Sequence, residues 1–574
     1  MKRRVLFLVG LFVCIALVKV SFAANPPATQ TAGGLMQQDL QMDQQKNLKQ
    51  KIEAEKPKED DIITPEMIPD DDGEKVLIKK IVVEGSTLLG DDTIKKITKP
   101  FENEKLSLKQ MQVIADLLTD EYRKNGYVTS RAYLPPQTMK DSTLILRVIE
   151  GKMGDLEVRG NKHFKTSLLE KKINLRPKGY FDFLELQKSL TRVNEHPDRT
   201  AKAVLVPGKE PGTTDIIVEV QDRLPIHVGF NYDNYASRYL GERRTTGYIE
   251  HNNLLGQDDK LYFEYRRTRN DSLCFQQGQY TYPVLPDLDV GMYIANSSSE
   301  LGRDFKVLNS RGESLLVGVF AQKVLKDTEN FDVWWNAGFD YKNVKNHLLG
   351  IQSSKDEVRA FKTGLDFDFN DRWARNILTT QYDVGIPQFM GGMKSKDPLS
   401  SRGGVGSGGK FQKWAFNYFR LQPGPFSSEI LWKNSAQISN HNLVAGEQFQ
   451  IGGPGSVRGY PIAEYAGDKG LYSSVEWSFP PYFLGRNMKI PFMKDRTMFD
   501  SLRIVTFYDW GNIRINKTTA GEKETRTLRS AGFGFRLNLG ENFFARIEIG
   551  YPLNGPDASD GRNVQKWFEI TTKF

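Results

Sequence analysis

From residue 224 to the end of the chain, apolar and polar positions alternate one for one. KLYFEYRRT sets Leu261, Phe263 and Tyr265 against Tyr262, Glu264 and Arg266. LDFDFND sets Leu365, Phe367 and Phe369 against Asp366 and Asp368. GFGFRLNLG, NFFARIEIGYPL and KWFEITTKF do the same, the last with Phe568, Ile570, Thr572 and Phe574 on one face. A period of two means strands, because successive side chains point to opposite faces of a sheet. A soluble sandwich would turn the apolar face inward. A membrane barrel would turn it to lipid and line a wet interior with the charges. About sixteen strand candidates occur, many of ten or more residues as a tilted spanning strand requires, whereas globular strands run nearer five or six. With a first strand at 226–236, the connections VLPD, KDTE, FNDR, QPGP and LGEN are tight. Those at 299–310, 345–355, 387–409, 441–469, 512–525 and 553–563 are long. Tight turns on one side and long loops on the other favour the barrel. Residues 480–500 break the rule with a long connection on the tight side.

Residues 75–223 read differently. KVLIKKIVVEGSTLL predicts a strand and turn, and LSLKQMQVIADLLTDEYRKNGY a helix through Met111, Ile114, Leu117, Leu118 and Tyr122. SRAYLPPQ and STLILRVIEG predict two strands. GDLEVRGNKHF, FLELQKSLTRVNEH, AKAVLVPG and TTDIIVEV then repeat that order. The chain therefore holds two β-α-β-β units in tandem, 75–151 and 152–223, with the turns VEGS and VRGN in register. Upstream, residues 57–74 carry Pro57, Pro65, Pro69 and acidic runs, the composition of a linker. Residues 24–56 contain good helix formers with Met36, Leu40, Leu48 and Ile52 in one narrow stripe. A helix so polar suits a polar environment better than a soluble core.

The N-terminus has MKRR, an apolar run, and Ser21 and Ala23 at small −3 and −1 positions. Residues 1–23 are the pattern of a cleaved secretory signal. Cys14 lies in that segment, which leaves Cys274 alone and excludes an intramolecular disulfide from the mature chain. An exported chain of this size without disulfides needs a closed sheet or a large core. The net charge of +8 is modest for the length, and export argues against nucleic acid as a partner.

Enzymatic chemistry finds no pattern to rest on. Gly404, Gly409 and Lys410 have phosphate-loop spacing, but Phe411 stands where a Ser or Thr should hold magnesium. The six histidines are scattered without metal-ligand spacing. No cofactor and no metal are expected.

One long loop stands out. FQIGGPGSVRGYPIA (449–463) places a single charge, Arg458, among glycines. In VTFYDWGNI (505–513), Phe507, Asp509 and Gly511 share a phase. An aspartate there is a ready acceptor for an arginine fork, and a glycine leaves room for a loop to approach the wall.

VRGY (Val457, Arg458, Gly459, Tyr460) followed by FYDWG in a later strand resembles the paired motifs of the outer-membrane POTRA-plus-barrel superfamily. Tyr133, Leu134, Pro135 and Pro136, with Glu150, Gly151, Val158 and Gly160, resemble its two-POTRA branch, the TpsB-type transporters of two-partner secretion. The resemblance implies a mainly β fold: a 16-stranded antiparallel transmembrane barrel (224–574), two periplasmic α+β POTRA domains and an N-terminal plug helix. It implies that Arg458 pairs with Asp509 and fixes loop 441–469 inside, and that residues 24–56 occupy the resting pore. Phe574 is the expected C-terminal assembly signal. The implied function is export of a large TpsA-type client, with outer-membrane lipid and the barrel-assembly machinery as further partners and a monomeric state. A barrel assembly or insertion factor of the same superfamily is the alternative.

Overall fold

The computed structural model describes residues 27–54, 75–173, 175, 179–328, 330–490, 493–519 and 521–574. The expected signal peptide and the linker 57–74 lie outside the described residues. Two compact units form: the N-terminal helix with residues 226–254 and 259–574, and residues 75–225 with 255–258.

Sixteen strands, from Ile226–Asp233 to Gln565–Lys573, close into one antiparallel barrel. The last strand pairs with the first from Glu569↔Asp233 to Lys573↔Gly229, so the sheet has no open edge. Burial decides between the two folds that alternation allowed. In Lys260–Thr268, Glu264 and Arg266 are buried while Phe263 and Tyr265 are exposed. In Lys469–Phe479, Tyr472, Ser474 and Glu476 are buried while Leu471, Val475 and Trp477 are exposed. Charge faces the lumen and hydrocarbon faces out, the arrangement that lipid demands.

Residues 345–355 are a correction. They form the outer end of a hairpin between Phe331–Leu348 and Ile351–Asn370, closed by Leu349 and Gly350 alone. Both turn residues have positive φ, 52° and 79°, as a two-residue hairpin turn requires. The polar run there reads as a loop, but the ladder continues through it. The exceptional connection at 480–500 also has structure: Lys489–Ile490 pairs with Met493–Thr497, and a short helix, Met498–Ser501, follows.

Each repeat of the second unit is a three-stranded mixed sheet under a helix. The first orders Lys80–Glu84, Thr143–Ile149 and Arg131–Tyr133, and the second Lys152–Arg159, Thr213–Asp222 and Arg199–Pro207. Ile114, Leu118, Tyr122, Leu144 and Leu146 are buried in the first core; Leu169, Leu186, Val193, Ile216 and Val218 are buried in the second. The β-α-β-β order misses one helix per repeat, Asp91–Thr98 and Thr166–Lys172. At two turns each they make no long periodic run, although in the first Ile94 and Ile97 share a face and Asp91–Asp92 precede Lys95–Lys96.

Ala32–Glu53 is a helix whose first turn is capped by Thr31, its hydroxyl accepting from the Gly34 amide at 3.1 Å. It lies in the barrel interior. Its apolar residues do not form the single stripe that multiples of four suggested. Steps of four drift about 40° each, so Met36 and Ile52 stand about 160° apart on the axis. Met36, with Leu40, packs on Phe275, Ala295 and Leu316. Leu48 and Ile52 pack on Ile377, Phe419 and Leu431, on another part of the wall. A helix inside a tube has walls on every side and needs no single apolar face.

Candidate functional site

Residues 439–468 leave strand Glu429–Ile438 and fold back into the lumen. The turn into the motif uses Gly452 and Gly453 at φ 110° and 92°, a region that side chains disfavour. The amide of Gly453 then donates to the carbonyls of Val457 (3.2 Å) and Tyr460 (3.1 Å), which closes the loop tip on itself. Val457 and Tyr460 are fully buried in a cluster with Ile451, Tyr472, Ile513 and Leu528. Gly511 faces Val457, and Gly459 lies flat on the wall: a Cβ there would sit 2.7 Å from Ser530 Cβ and 2.8 Å from the Pro552 nitrogen.

Arg458 is 1 % exposed. Its Nε donates to Asp509 Oδ2 at 2.9 Å and its Nη2 to Asp509 Oδ1 at 2.6 Å, a two-point fork. Its backbone amide donates to the same carboxylate at 3.0 Å. Nη1 reaches Glu476 at 2.8 Å and Glu548 at 3.5 Å, and Nη2 donates to Ser474 Oγ at 3.0 Å. The guanidinium stacks on Phe507, 3.4 Å from the ring centre. Trp567 donates from Nε1 to the Arg458 carbonyl at 2.8 Å.

The arginine is one member of a larger network. Arg536 bridges Glu476 (2.8 Å) and Glu548 (2.5 Å), and Lys433 reaches Glu476 at 2.6 Å. Lys49 of the luminal helix approaches the same Glu476 at 3.6 Å. Each of these three carboxylates and four cations has a partner of opposite charge, so none is stranded despite deep burial. Helix and loop therefore share a carboxylate. They also touch where Gly33 meets Gly446, so closely that a Cβ on either would sit 3.2–3.3 Å from the other's backbone.

The rest of the helix is held by polar contacts. Asp39 accepts from Arg244 (2.6 Å) and Arg266 (3.0 Å), and Asp43 from Arg266 at 3.0 Å. Lys46 pairs with Glu569 at 2.6 Å, and Gln45 donates to Ser435 Oγ at 2.6 Å. Loop 439–468 has further anchors at Glu447, which takes Lys342 and Lys413 at 2.6 Å each, and at Asp468.

Residues 212–537 match the family described as haemolysin secretion/activation protein ShlB/FhaC/HecB, and residues 76–151 match the ShlB-type POTRA domain. The chain belongs to the ShlB/FhaC/HecB family. Among relatives of this transporter, an outer membrane transporter CdiB of Escherichia coli is 22 % identical over 89 % of the chain and 84 % of its own length. The heme/hemopexin transporter protein HuxB of Haemophilus influenzae is 21 % identical over 84 % of each. The solved structure of CdiB from Escherichia coli superposes with a TM-score of 0.71 at 19 % identity, covering 94 % of this chain and 98 % of that one. BamA from Haemophilus ducreyi, lacking POTRA domains 1–3, gives 0.54 at 14 %, covering 87 % and 100 %. The ShlB-family chain is an outer-membrane transporter of two-partner secretion: it moves an exoprotein from periplasm to cell surface, with its POTRA repeats in the periplasm.

In the transporter's POTRA repeats, the motif residues tie loops to sheets. Gly85 and Gly160 have φ 85° and 88°, and a Cβ would strike the carbonyl of Val148 (2.6 Å) or Val220 (2.5 Å). Two residues beyond each valine stands a carboxylate. Glu150 accepts from the amides of Thr87 (2.6 Å) and Leu88 (2.8 Å) and from Tyr122 Oη (2.8 Å). Asp222 accepts from the amides of Lys162 (2.9 Å), His163 (2.8 Å) and Phe164 (3.2 Å). Gly151 donates its amide to Ser130 Oγ at 3.0 Å, and Val158 packs on the second core. Tyr133 ends an edge strand, Leu134 packs on the first core, and the Pro135–Pro136 stretch follows without a ladder. Gln137 substitutes for that ladder, bonding both backbone groups of Ile145 at 2.8 and 2.9 Å. Phe574 exchanges both backbone bonds with Val228 at the closing seam, and its ring is exposed.

Burial pushes the Glu150 carboxyl up, but bonds from Thr87, Leu88 and Tyr122 outweigh it and hold the pKa below the usual range. A depressed carboxylate contributes stability above its unfolded pKa and loses it as pH falls through the folded value. Glu150→Gln is therefore expected to loosen residues 85–90 at neutral pH as acid does in the wild type. The cost is about 1–2 kcal/mol for a partly exposed charged acceptor. Hydrogen exchange at the Thr87 and Leu88 amides measures it; unchanged protection would refute the assignment.

Asp222, Glu476, Glu548, Arg536 and Trp567 escape sequence reasoning. Glu476, Glu548 and Arg536 sit in the ordinary polar phase of a strand. Trp567 is an aromatic in the inward phase of Gln565 and Glu569, and Asp222 falls in the buried phase of Ile216, Val218 and Val220 as the counterpart of Glu150 in the repeat, so these two had a usable signal.

Proposed function

We propose that the client is a large TpsA-type exoprotein, received unfolded by the POTRA repeats and released through the barrel after helix 32–53 withdraws. Client strands add to an open edge of a POTRA sheet, where main-chain bonds give affinity with little demand on sequence. Loop 439–468, latched at Arg458, shapes the path. No nucleotide motif supplies energy, so folding of the client outside biases the direction. We assign the chain no catalytic role, cofactor, metal or nucleic-acid partner. It works as a monomer, enters the periplasm on the signal 1–23, and is inserted by the barrel-assembly machinery.

One observation supports the reading above others: the lumen is filled by a helix held largely through hydrogen bonds and ion pairs. Each neutral contact of this kind exchanges with water at a net change near 1 kcal/mol and each charged one at roughly 1.5–3 kcal/mol. A seal of that kind is removable, unlike an apolar core. Deleting residues 75–223 should abolish surface appearance of the client while the barrel still assembles. Continued export without the repeats would remove them from the mechanism.

A further inference from the structure

The connection between strands Lys469–Phe479 and Leu502–Arg514 lies on the periplasmic side, where other turns are as short as 286–287 or 327–330. It is neither a turn nor part of the latch. Strand Lys469–Phe479 ends outward with Trp477, 49 % exposed, whose ring lies 5.1 Å from that of Phe479. Directly after it, Tyr482 and Phe483 are exposed, Phe483 by 73 %, and Met488 is exposed as well. The segment has its own scaffold: Tyr482 packs edge-on to Phe499 at 5.6 Å, and the Met498 amide donates to the Met488 carbonyl at 2.8 Å. Arg486 lies over the Phe499 ring at 5.4 Å, and Lys489 and Arg496 are exposed. Among the described residues no ion pair joins Arg486 or Lys489 to a carboxylate, and the Arg496 guanidinium lies against Gly540 of the neighbouring turn.

We propose that residues 480–490 and 493–499 form an interfacial foot that lies in the periplasmic leaflet and binds anionic phospholipid. The apolar side chains continue the lipid-facing belt of the barrel beyond the strand end, where aromatic rings and basic groups favour the headgroup layer. A cation at that depth meets a lipid phosphate, and an anionic surface attracts each Lys or Arg by about 1 kcal/mol. A loop made only to connect two strands would have no reason to expose Phe483 and Met488 to water.

The test uses the full chain with Cys274→Ser and Phe483→Cys, spin-labelled at 483 and reconstituted in phosphatidylcholine vesicles with or without phosphatidylglycerol. Collisions of the label with oxygen should exceed those with a water-soluble nickel chelate. The reverse order overturns the foot, as does protection that appears only when unfolded client is added, which would make the patch a protein-binding surface. Met488→Cys serves if the first variant fails to assemble. Separately, Arg486→Gln, Lys489→Gln and Arg496→Gln together should reduce phosphatidylglycerol retained from mixed nanodiscs. The loss should be about fivefold per charge at low salt and fade as salt rises. Equal retention by the triple variant overturns the anionic-lipid assignment.

Discussion

A transporter lacking residues 27–54 should conduct ions in planar bilayers roughly tenfold better than the intact chain, because a 16-stranded barrel is wide enough to leave an aqueous channel. The helix occupies that width. It reaches well-separated strands of the wall, with Met36 on one part and Leu48 and Ile52 on another. Its charged contacts are distributed: Asp39 meets Arg244 and shares Arg266 with Asp43, Lys46 meets Glu569 and Lys49 meets Glu476. Single substitutions along it should therefore raise conductance far less than deletion. Unchanged conductance after deletion would mean that the lumen is blocked by loop 439–468 alone and that the helix is no plug.

Arg458→Ala should lower client export by at least about tenfold while the barrel still assembles and inserts. Removing one member of a buried charge cluster costs on the order of 3–5 kcal/mol, reduced where water reaches the lumen. Truncation leaves Asp509 without its fork and leaves Glu548 to Arg536 alone. The network also predicts how rescue will fail. A charge swap, Arg458→Asp with Asp509→Arg, restores a simple pair. Here the new aspartate would face Glu476 and Glu548, which accept from Arg458 in the wild type. The swap should export no better than Arg458→Ala. Arg458→Lys keeps the charge but gives up the planar fork and should recover only part of the activity. Surface detection of the client, beside a heat-modifiability assay for barrel assembly, measures all three. Full export by Arg458→Ala would make the contact incidental.

The tight turns and long loops separated the two ends of the barrel except at 480–500, a long connection on the tight side; at 345–355 the end is right, but polar residues continue the strands where a loop is expected. The helices Asp91–Thr98 and Thr166–Lys172 are passed over for a different reason: two turns are too short to stand out as a periodic run, although Asp91–Asp92 ahead of Lys95–Lys96 and the Ile94–Ile97 spacing mark the first. Arg458 and Asp509 could be singled out because one is a lone charge among glycines and the other interrupts an apolar phase. Glu476 and Glu548 could not, since each occupies the phase in which any barrel carries polar residues.

Local pattern by itself determined the strands, their number, the tandem repeat and the polar character of the N-terminal helix. Those follow from side-chain direction, which has a period of two in a strand and 3.6 in a helix. Tertiary structure alone decided which charges meet. Arg458, Glu476, Asp509, Arg536 and Glu548 come from a loop and four different strands, and Lys49 joins them from a helix more than 400 positions away. Closing a sheet into a tube brings every inward phase to one axis, and no spacing along the chain records that convergence.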